Sequence, residues 1–391
     1  MKSYKKTEIR KVCCVITARP SYARVKSALV AIKEHPALEL QLVLSGSALV
    51  DRYGNIANTI QKDGFEITER IFNVIEGDSQ SAMSKSTGIA IMELSTTFVN
   101  LKPDIVITIA DRFETLATSI AASYQNISLA HLQGGEVTGN IDEKVRHANT
   151  KLADLHFVSS DDAEKRVLRM GESKDKVFNT GCPSMDLVYD VLKSPKNMFD
   201  PIKKYGGVGN EIDFEDGYIV VMQHPVTDEF EDSKENILET LKAIDDLNIP
   251  TFWFWPNIDA GSDGTSNGIR AYREMNDPGN IFFFKNMDPE DFLLLLKNSK
   301  CLVGNSSVGI RECGMLGVPV VNIGSRQNKR LRAGNVIDCN YSHKEIKDCI
   351  NFQLENGHYL SEYIYGDGFS GKKIAEILST CDLTFSKSIT Y

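Results

Sequence analysis

Val12-Cys13-Cys14-Val15-Ile16-Thr17-Ala18-Arg19-Pro20-Ser21-Tyr22 begins as an unbroken apolar run and turns, at Arg19-Pro20, into a helical pattern that continues to Glu34. A run with no polar alternation suits a strand buried on both faces, the situation in a parallel sheet whose crossovers are helices. Proline fits the first turn of a helix, where its missing N–H would be an orphan in any case. Val12–Thr17 is therefore expected as a strand and Tyr22–Glu34 as the helix that follows. The alternation repeats outward. Leu40–Leu44, Asp104–Ile109, Ile127–Leu132 and Leu155–Val158 read as further strands, and Ser81–Leu101 and Arg112–Tyr124 as helices long enough for right-handed crossovers.

From Lys193 to Gly217 this pattern gives way to Pro195, Pro201, Gly206-Gly207, Asn and charged residues, as an interdomain linker would. A second alternation follows: Tyr218–Met222, Thr251–Trp255, Asn280–Phe284, Cys301–Val303 and Val318–Ile323 are its expected strands, and Gly371–Leu378 reads as a last helix. The 391 residues exceed one comfortable core. The expected fold is α/β with two doubly wound, Rossmann-like domains: residues 1–192, to which 369–391 return, and residues 193–368. Two such domains facing each other would form a cleft, the usual place for a ligand at the carboxyl edges of open sheets.

Hydrophobic residues make up 42% and charged residues 25% of the chain, an ordinary globular balance. A formal charge of −9 argues against broad affinity for nucleic acid or an anionic membrane. No apolar run approaches the roughly 20 residues of a membrane span, and Met1–Lys11 is basic and polar with no apolar stretch of a signal peptide behind it. A cytoplasmic enzyme with reduced thiols is expected, its 8 cysteines showing no paired spacing. No His or Cys cluster has metal-ligand spacing, so neither metal nor cofactor is expected.

Chemistry-bearing residues gather at strand-to-helix junctions. Arg19, beside a helix N-terminus, suits a phosphate site and equally a surface cap. Asp111 and Arg112 follow the strand Asp104–Ile109 and fit either a functional pair or a structural ion pair. The loop His131-Leu132-Gln133-Gly134-Gly135-Glu136-Val137-Thr138-Gly139-Asn140-Ile141-Asp142-Glu143 brings glycines that would let backbone approach a ligand. Its Glu136 and Asp142 are candidate acid and base; Asp142 also fits a cap of the helix that carries Arg146. In the second half, His224 follows a strand and could donate to a phosphate, although a lone histidine is more often a structural residue. Gly304-Asn305-Ser306-Ser307 feeds an expected helix, Gly309–Leu316, and reads as a phosphate cradle, with Glu312 placed to accept from ribose hydroxyls.

These pieces, in this order, resemble the hydrolysing UDP-N-acetylglucosamine 2-epimerases of sialic and nonulosonic acid biosynthesis. The resemblance is carried by Asp111-Arg112, Gly134-Gly135-Glu136, Arg146-His147, Gly181-Cys182-Pro183-Ser184, Gln223-His224-Pro225-Val226-Thr227, Pro256-Asn257-Ile258-Asp259, Gly304-Asn305-Ser306-Ser307, Arg326-Gln327 and Tyr365-Gly366-Asp367-Gly368. It implies a glycosyltransferase-B-like fold with the nucleotide held by the second domain, and a homo-oligomer, a dimer or tetramer. The implied reaction expels UDP and the C2 proton to form a 2-acetamidoglycal, then adds water to release N-acetylmannosamine. Asp111, Glu136 and Asp142 match the family's catalytic carboxylates, Arg112 and His224 match groups near the leaving pyrophosphate, and Arg19, Asn257, Ser306, Ser307, Glu312 and Arg326 match UDP contacts. Arg270 and Arg273 resemble the arginines through which the vertebrate enzyme senses a CMP-sialic acid, although a solvated helical face explains the pair more readily.

The chain departs from the family pattern at Pro20-Ser21, Ile109-Ala110 and Gln133, where an acid, His-Gly and Glu are usual. These changes bear on the sugar more than on the reaction. The same chemistry on a UDP- or GDP-linked 2,4-diacetamido-6-deoxyhexose is thus a close alternative. A glycosyltransferase of the same fold would need an acceptor groove, and a nucleotide-sugar sensor would not need the acids of the Gly-Gly-Glu loop.

Overall fold

The computed structural model describes residues 9–51, 55–75, 79–137, 140–195, 199–226, 231–256, 262–383 and 387–390. The chain divides into two compact units: Met1–Leu187 together with Tyr365–Tyr391, and Val188–Ile364.

The first unit is built on a seven-stranded parallel sheet. Its strands are β1 (Arg10–Ile16), β2 (Leu38–Ser45), β3 (Glu69–Ile71), β4 (Ile105–Ile109), β5 (Ser128–Leu132), β6 (Leu155–Val158) and β7 (Val177–Asn179). The order is β3-β2-β1-β4-β5-β6-β7. The second unit holds β8 (Ile219–Met222), β9 (Thr251–Phe254), β10 (Ile281–Phe284), β11 (Cys301–Gly304), β12 (Val320–Ile323) and β13 (Val336–Cys339), ordered β10-β9-β8-β11-β12-β13 and again parallel. Both are the doubly wound, Rossmann-like order, in which the winding reverses beside the first strand and leaves a crevice at the carboxyl edge. That point lies between β1 and β4 in one sheet and between β8 and β11 in the other.

The central strands are buried on both faces, as their apolar runs require. β3, β7 and β13 were not legible as strands because each is an edge strand with polar or half-exposed residues. The segment expected as a linker is regular in part where described, and its other described residues have no regular structure. Helices occupy Ser184–Lys193 and Pro201–Tyr205, and Val208 exchanges hydrogen bonds of 3.0 and 2.8 Å with Phe283 of the edge strand β10. The expected helix Arg112–Tyr124 begins at Thr115, after a turn that leaves Asp111 and Arg112 outside it.

The helix Ser370–Thr380 packs in the first unit against Arg19–Glu34. Their backbones approach so closely that a Cβ on Gly371 would lie 2.6 Å from the Ser27 carbonyl oxygen. The start of the later helix is capped from far off in sequence, since the Asp186 carboxylate accepts Ser370 N–H at 2.9 Å and Gly371 N–H at 2.8 Å. Six of the eight cysteines are buried and all eight are free thiols. Among the described residues no helix is long and apolar enough to cross a membrane.

Removing the remote cap tests this closure. Asp186→Ala strands two buried N–H groups and is expected to cost about 1–2 kcal/mol, the upper range for a lost cap, read as a lowered midpoint in urea denaturation followed by circular dichroism.

Candidate active site

In the first unit the site begins where β4 ends. Ala110 lies in the left-handed region at φ 58, and Gln133, at the end of the neighbouring β5, does so at φ 64. Such backbone costs a non-glycine residue about 1–3 kcal/mol and persists only when its surroundings impose it. The surroundings are visible. The Ala110 carbonyl accepts from His131 Nε2 at 2.9 Å and from Asn149 Nδ2 at 3.4 Å, while Gln133 donates its N–H to Phe157 O at 2.8 Å. Burial pulls the His131 imidazole down to about 3, with further depression from Arg146, so it serves as a neutral strut.

The two turned peptides are clamped by Arg146. This guanidinium, 1% exposed, donates to the Asp111 carboxylate after β4 and to the Gln133 carbonyl after β5. It comes from the helix Asn140–Leu152. Asp142 sits four residues earlier on that helix, and i,i+4 spacing puts both side chains on one face. Burial first, and then the negative charge of Asp111, raise the Asp142 carboxyl to about 6, against opposing pulls from Arg112 and Arg146. Arg112 is held instead by Glu114, through bonds of 3.2 and 3.1 Å. Glu114 is itself buried and accepts from Ser47 Oγ at 3.2 Å. Burial works against the charge on Arg112, yet Glu114, Asp142 and Asp111 raise its pKa. Adjacent in sequence, Asp111 and Arg112 thus engage partners on different elements.

Glu136 is buried on the loop after β5. The glycines before it lie close against their own surroundings. A Cβ on Gly135 would stand 2.3 Å from the Ala163 carbonyl oxygen, and one on Gly134 would stand 3.0 Å from His131 Nδ1. Their lack of a side chain lets the loop pack closely on the protein itself. Thr138-Gly139 lies outside the described residues. Arg19 is exposed and is the first residue of its helix rather than the residue before it, behind an Ala18 N-cap that offers no side-chain bond.

The second unit repeats the placement. At the end of β11, Gly304 adopts φ 130 and comes so near β8 that a Cβ would lie 2.2 Å from the Met222 carbonyl oxygen. Asn305 then ties the two strand ends together: its Oδ1 accepts His224 N–H at 2.7 Å and its Nδ2 donates to His224 O at 2.8 Å. The Asn305 carbonyl in turn receives Gln327 Nε2 at 2.8 Å and Arg326 Nη1 at 3.2 Å. Burial, assisted by Arg326, depresses the His224 imidazole to about 3. His224 is consequently a neutral hydrogen-bond donor near pH 7, and positive charge at this edge comes from Arg326.

The expected helix Gly309–Leu316 is two short pieces, Ser307–Ile310 and Glu312–Leu316, broken at Arg311. Ser306 caps the first by accepting Val308 N–H at 3.4 Å, and Glu312 opens the second. Asn257 lies outside the described residues. Arg270 lies over the Trp255 ring at 5.9 Å and Arg273 over the Phe283 ring at 5.1 Å, so both pack on aromatic faces. No group of three His, Cys, Asp or Glu suited to a metal occurs among the described residues.

A family model described as UDP-N-acetylglucosamine 2-epimerase matches residues 30–379, which takes in every candidate site residue except Arg19. The chain belongs to this family. Its relatives include the hydrolysing UDP-N,N'-diacetylbacillosamine 2-epimerase of Legionella pneumophila, 31% identical over 96% of this chain and 97% of the relative. The UDP-N-acetylglucosamine 2-epimerase of Neisseria meningitidis is 28% identical over 95% of each. Campylobacter jejuni contributes a GDP/UDP-N,N'-diacetylbacillosamine 2-epimerase, 32% identical over 84% of each. The solved structure of a Neisseria meningitidis UDP-GlcNAc 2-epimerase bound to UDP-GlcNAc superposes with a TM-score of 0.76 at 19% identity, covering 94% of this chain and 99% of that one. That likeness shows a shared glycosyltransferase-B-like fold.

Sequence reading placed Arg146 on the helix after the Gly-Gly-Glu loop and met Glu114, Asn305 and Gln327 only inside longer motifs, without giving any of the four a bond or a role. The i,i+4 spacing of Asp142 and Arg146 was the available signal for the first. The clamp has a measurable consequence in this family member. Arg146→Met leaves the buried Asp111 carboxylate without its guanidinium and should cost about 3–5 kcal/mol. Adding Asp111→Asn to it should recover part of that loss, both read by chemical denaturation.

Proposed function

We propose that the chain is a hydrolysing 2-epimerase of a UDP-linked 2-acetamido sugar, with UDP-N-acetylglucosamine as substrate and N-acetylmannosamine and UDP as products. The observation that carries this reading is Asp142, a carboxyl raised to about 6 beside Asp111, Arg112 and Arg146 at the carboxyl edge of a nucleotide-sugar fold. A group titrating near the working pH is suited to moving a proton in both directions.

The chemistry demands such a group. Beside an acetamido substituent and with no carbonyl at C1, the C2 hydrogen is barely acidic, so rupture of the C1–O bond to UDP must run ahead and place positive charge on C1 and the ring oxygen. A carboxylate among Asp111, Glu136 and Asp142 stabilises that charge and takes the C2 proton, leaving the C1=C2 double bond of a 2-acetamidoglycal. Water then adds its oxygen to C1 while a proton returns to C2 from the opposite face. The second unit holds UDP. Neutral His224, Arg326 and the Ser306-Ser307 turn donate to the diphosphate, Glu312 accepts from ribose, and Asn257 and Arg19 supply further contacts. Arginine and hydrogen-bond donors suffice for the leaving group, so turnover should survive excess chelator.

A second reading keeps the mechanism and changes the sugar to a 2,4-diacetamido-6-deoxyhexose. Two relatives named for diacetylbacillosamine, at 31% and 32% identity, favour it. Incubation with both sugar nucleotides, with free UDP and free sugar read by NMR, decides between them.

The mechanism predicts that product formed in deuterated water carries deuterium at C2; retention of the original hydrogen there would rule it out. Glu136→Gln should reduce turnover by about two to four orders of magnitude, the usual worth of a positioned acid or base, with UDP affinity by calorimetry little changed. Ser307→Ala and His224→Ala should instead weaken UDP binding.

With Asp142 as base, kcat/KM rises as the pH passes upward through about 6, where that carboxyl ionises. Asp142→Asn should remove this limb from the pH–rate profile. A limb that persists in the variant assigns it to another group.

A further inference from the structure

The helix that supplies Asp142 and Arg146 is held at its other end by residues that the mechanism does not use. Helix C-termini leave carbonyl groups without intrahelical partners and favour a cation there. For Asn140–Leu152 that cation is Lys387, almost 240 residues away in sequence. Its ammonium donates to Thr150 O at 3.1 Å and Ala153 O at 2.6 Å, and it meets the Glu172 carboxylate at 2.7 Å, so all three of its protons are engaged.

Glu172 is buried and gathers Lys151 at 2.6 Å and His156 at 3.0 Å as well. Burial alone would raise its carboxyl, but the hydrogen bonds from His156, Lys151 and Lys387 outweigh that and hold it at about 2. The segment 387–390 is fixed around this point. Thr390 N–H donates to Gly171 O at 3.0 Å, and a Cβ on Gly171, which lies at φ 85, would stand 2.7 Å from the Ile389 side chain. From the capped turn the connection runs straight into the site. Thr150 Oγ1 donates to Arg146 O at 3.0 Å and stands 3.1 Å from His131 Nδ1, whose other nitrogen holds the Ala110 carbonyl before Asp111.

We propose that Lys387 is a positioning residue for the reaction: by anchoring the carboxyl end of Asn140–Leu152 to Glu172, it sets the depth at which Asp142 and Arg146 meet Asp111. The proposal rests on the epimerase reading for its kinetic consequence and on geometry alone for its structural one. Small displacements of a catalytic group are costly to the chemical step and indifferent to a nucleotide bound elsewhere.

The test uses the full chain carrying Lys387→Gln, which keeps amide donors at a partly exposed position but removes the charge and at least one of the three bonds, beside Lys387→Arg. Lys387→Gln should lower kcat about ten- to a hundred-fold with KM and calorimetric UDP affinity within about two-fold. Amide hydrogen exchange over 142–152 should quicken in the same variant. Lys387→Arg should recover most of both effects. Unchanged kcat and unchanged exchange in Lys387→Gln would overturn the proposal, as would a loss carried wholly by KM. If the wild-type chain turns over neither sugar nucleotide, the epimerase reading fails by itself, because exchange over 142–152 still reports whether Lys387 holds the helix.

Discussion

The buried pairing of Arg146 with Asp111 is the constraint around which the first unit's site is arranged. Taking a guanidinium and a carboxylate out of water costs several kcal/mol per ion unless geometry and further hydrogen bonds compensate. Here the compensation is structural. The same guanidinium satisfies the Gln133 carbonyl, so one side chain fixes the ends of β4 and β5, both of which leave their strands through left-handed residues. His131 and Asn149 hold the Ala110 peptide from behind. Hydrophobic residues of similar volume could fill this space, but they would not place a carboxylate beside Asp142, whose carboxyl is raised by burial first and by that neighbour second.

The second unit solves a related problem with neutral groups. Asn305 reaches across the reversal of strand order and bonds both backbone polar atoms of His224, while Gln327 and Arg326 cover the Asn305 carbonyl. An edge whose buried His224 and Asn305 are uncharged is already organised before an anion arrives, and it places donors beside Arg326 without the repulsion or desolvation that an added imidazolium would bring. The two units therefore present different chemistry at the same topological position: fixed ions in the first, oriented dipoles with one arginine in the second.

Much of this was legible in the sequence, for reasons that particular elements make plain. Central strands such as Val12–Ile16 and Ile105–Ile109 are buried on both faces, so their apolar runs announce them, and Arg19-Pro20 and Asp111-Arg112 mark where the chain leaves the sheet. Edge strands such as β13, with Asp338 and half-exposed neighbours, carry no such run. The candidate site was legible as a set of loops but not as a set of bonds. Asp111 is adjacent to Arg112 and bonded to Arg146, 35 residues on, a pairing that depends on how β4 and the helix Asn140–Leu152 meet. The glycines at 134 and 135 signalled a tight backbone, yet what they admit is a neighbouring helix and a histidine, which local pattern does not distinguish from a ligand.

The path of the chain through its two units has a consequence for how the protein is made. The second unit is one continuous stretch, Val188–Ile364, whereas the first is completed by Tyr365–Tyr391. Synthesis proceeds from the N-terminus at about 5–20 residues per second, and domains fold as units. On the ribosome, β1 to β7 emerge first but must wait with the face of Arg19–Glu34 uncovered, and with Asp186 lacking the amides it caps, until the whole of the other unit has passed through the exit tunnel. The later-born unit is thus the first able to finish, and the nascent chain carries an exposed apolar seam for the tens of seconds in between, an interval suited to chaperone attention.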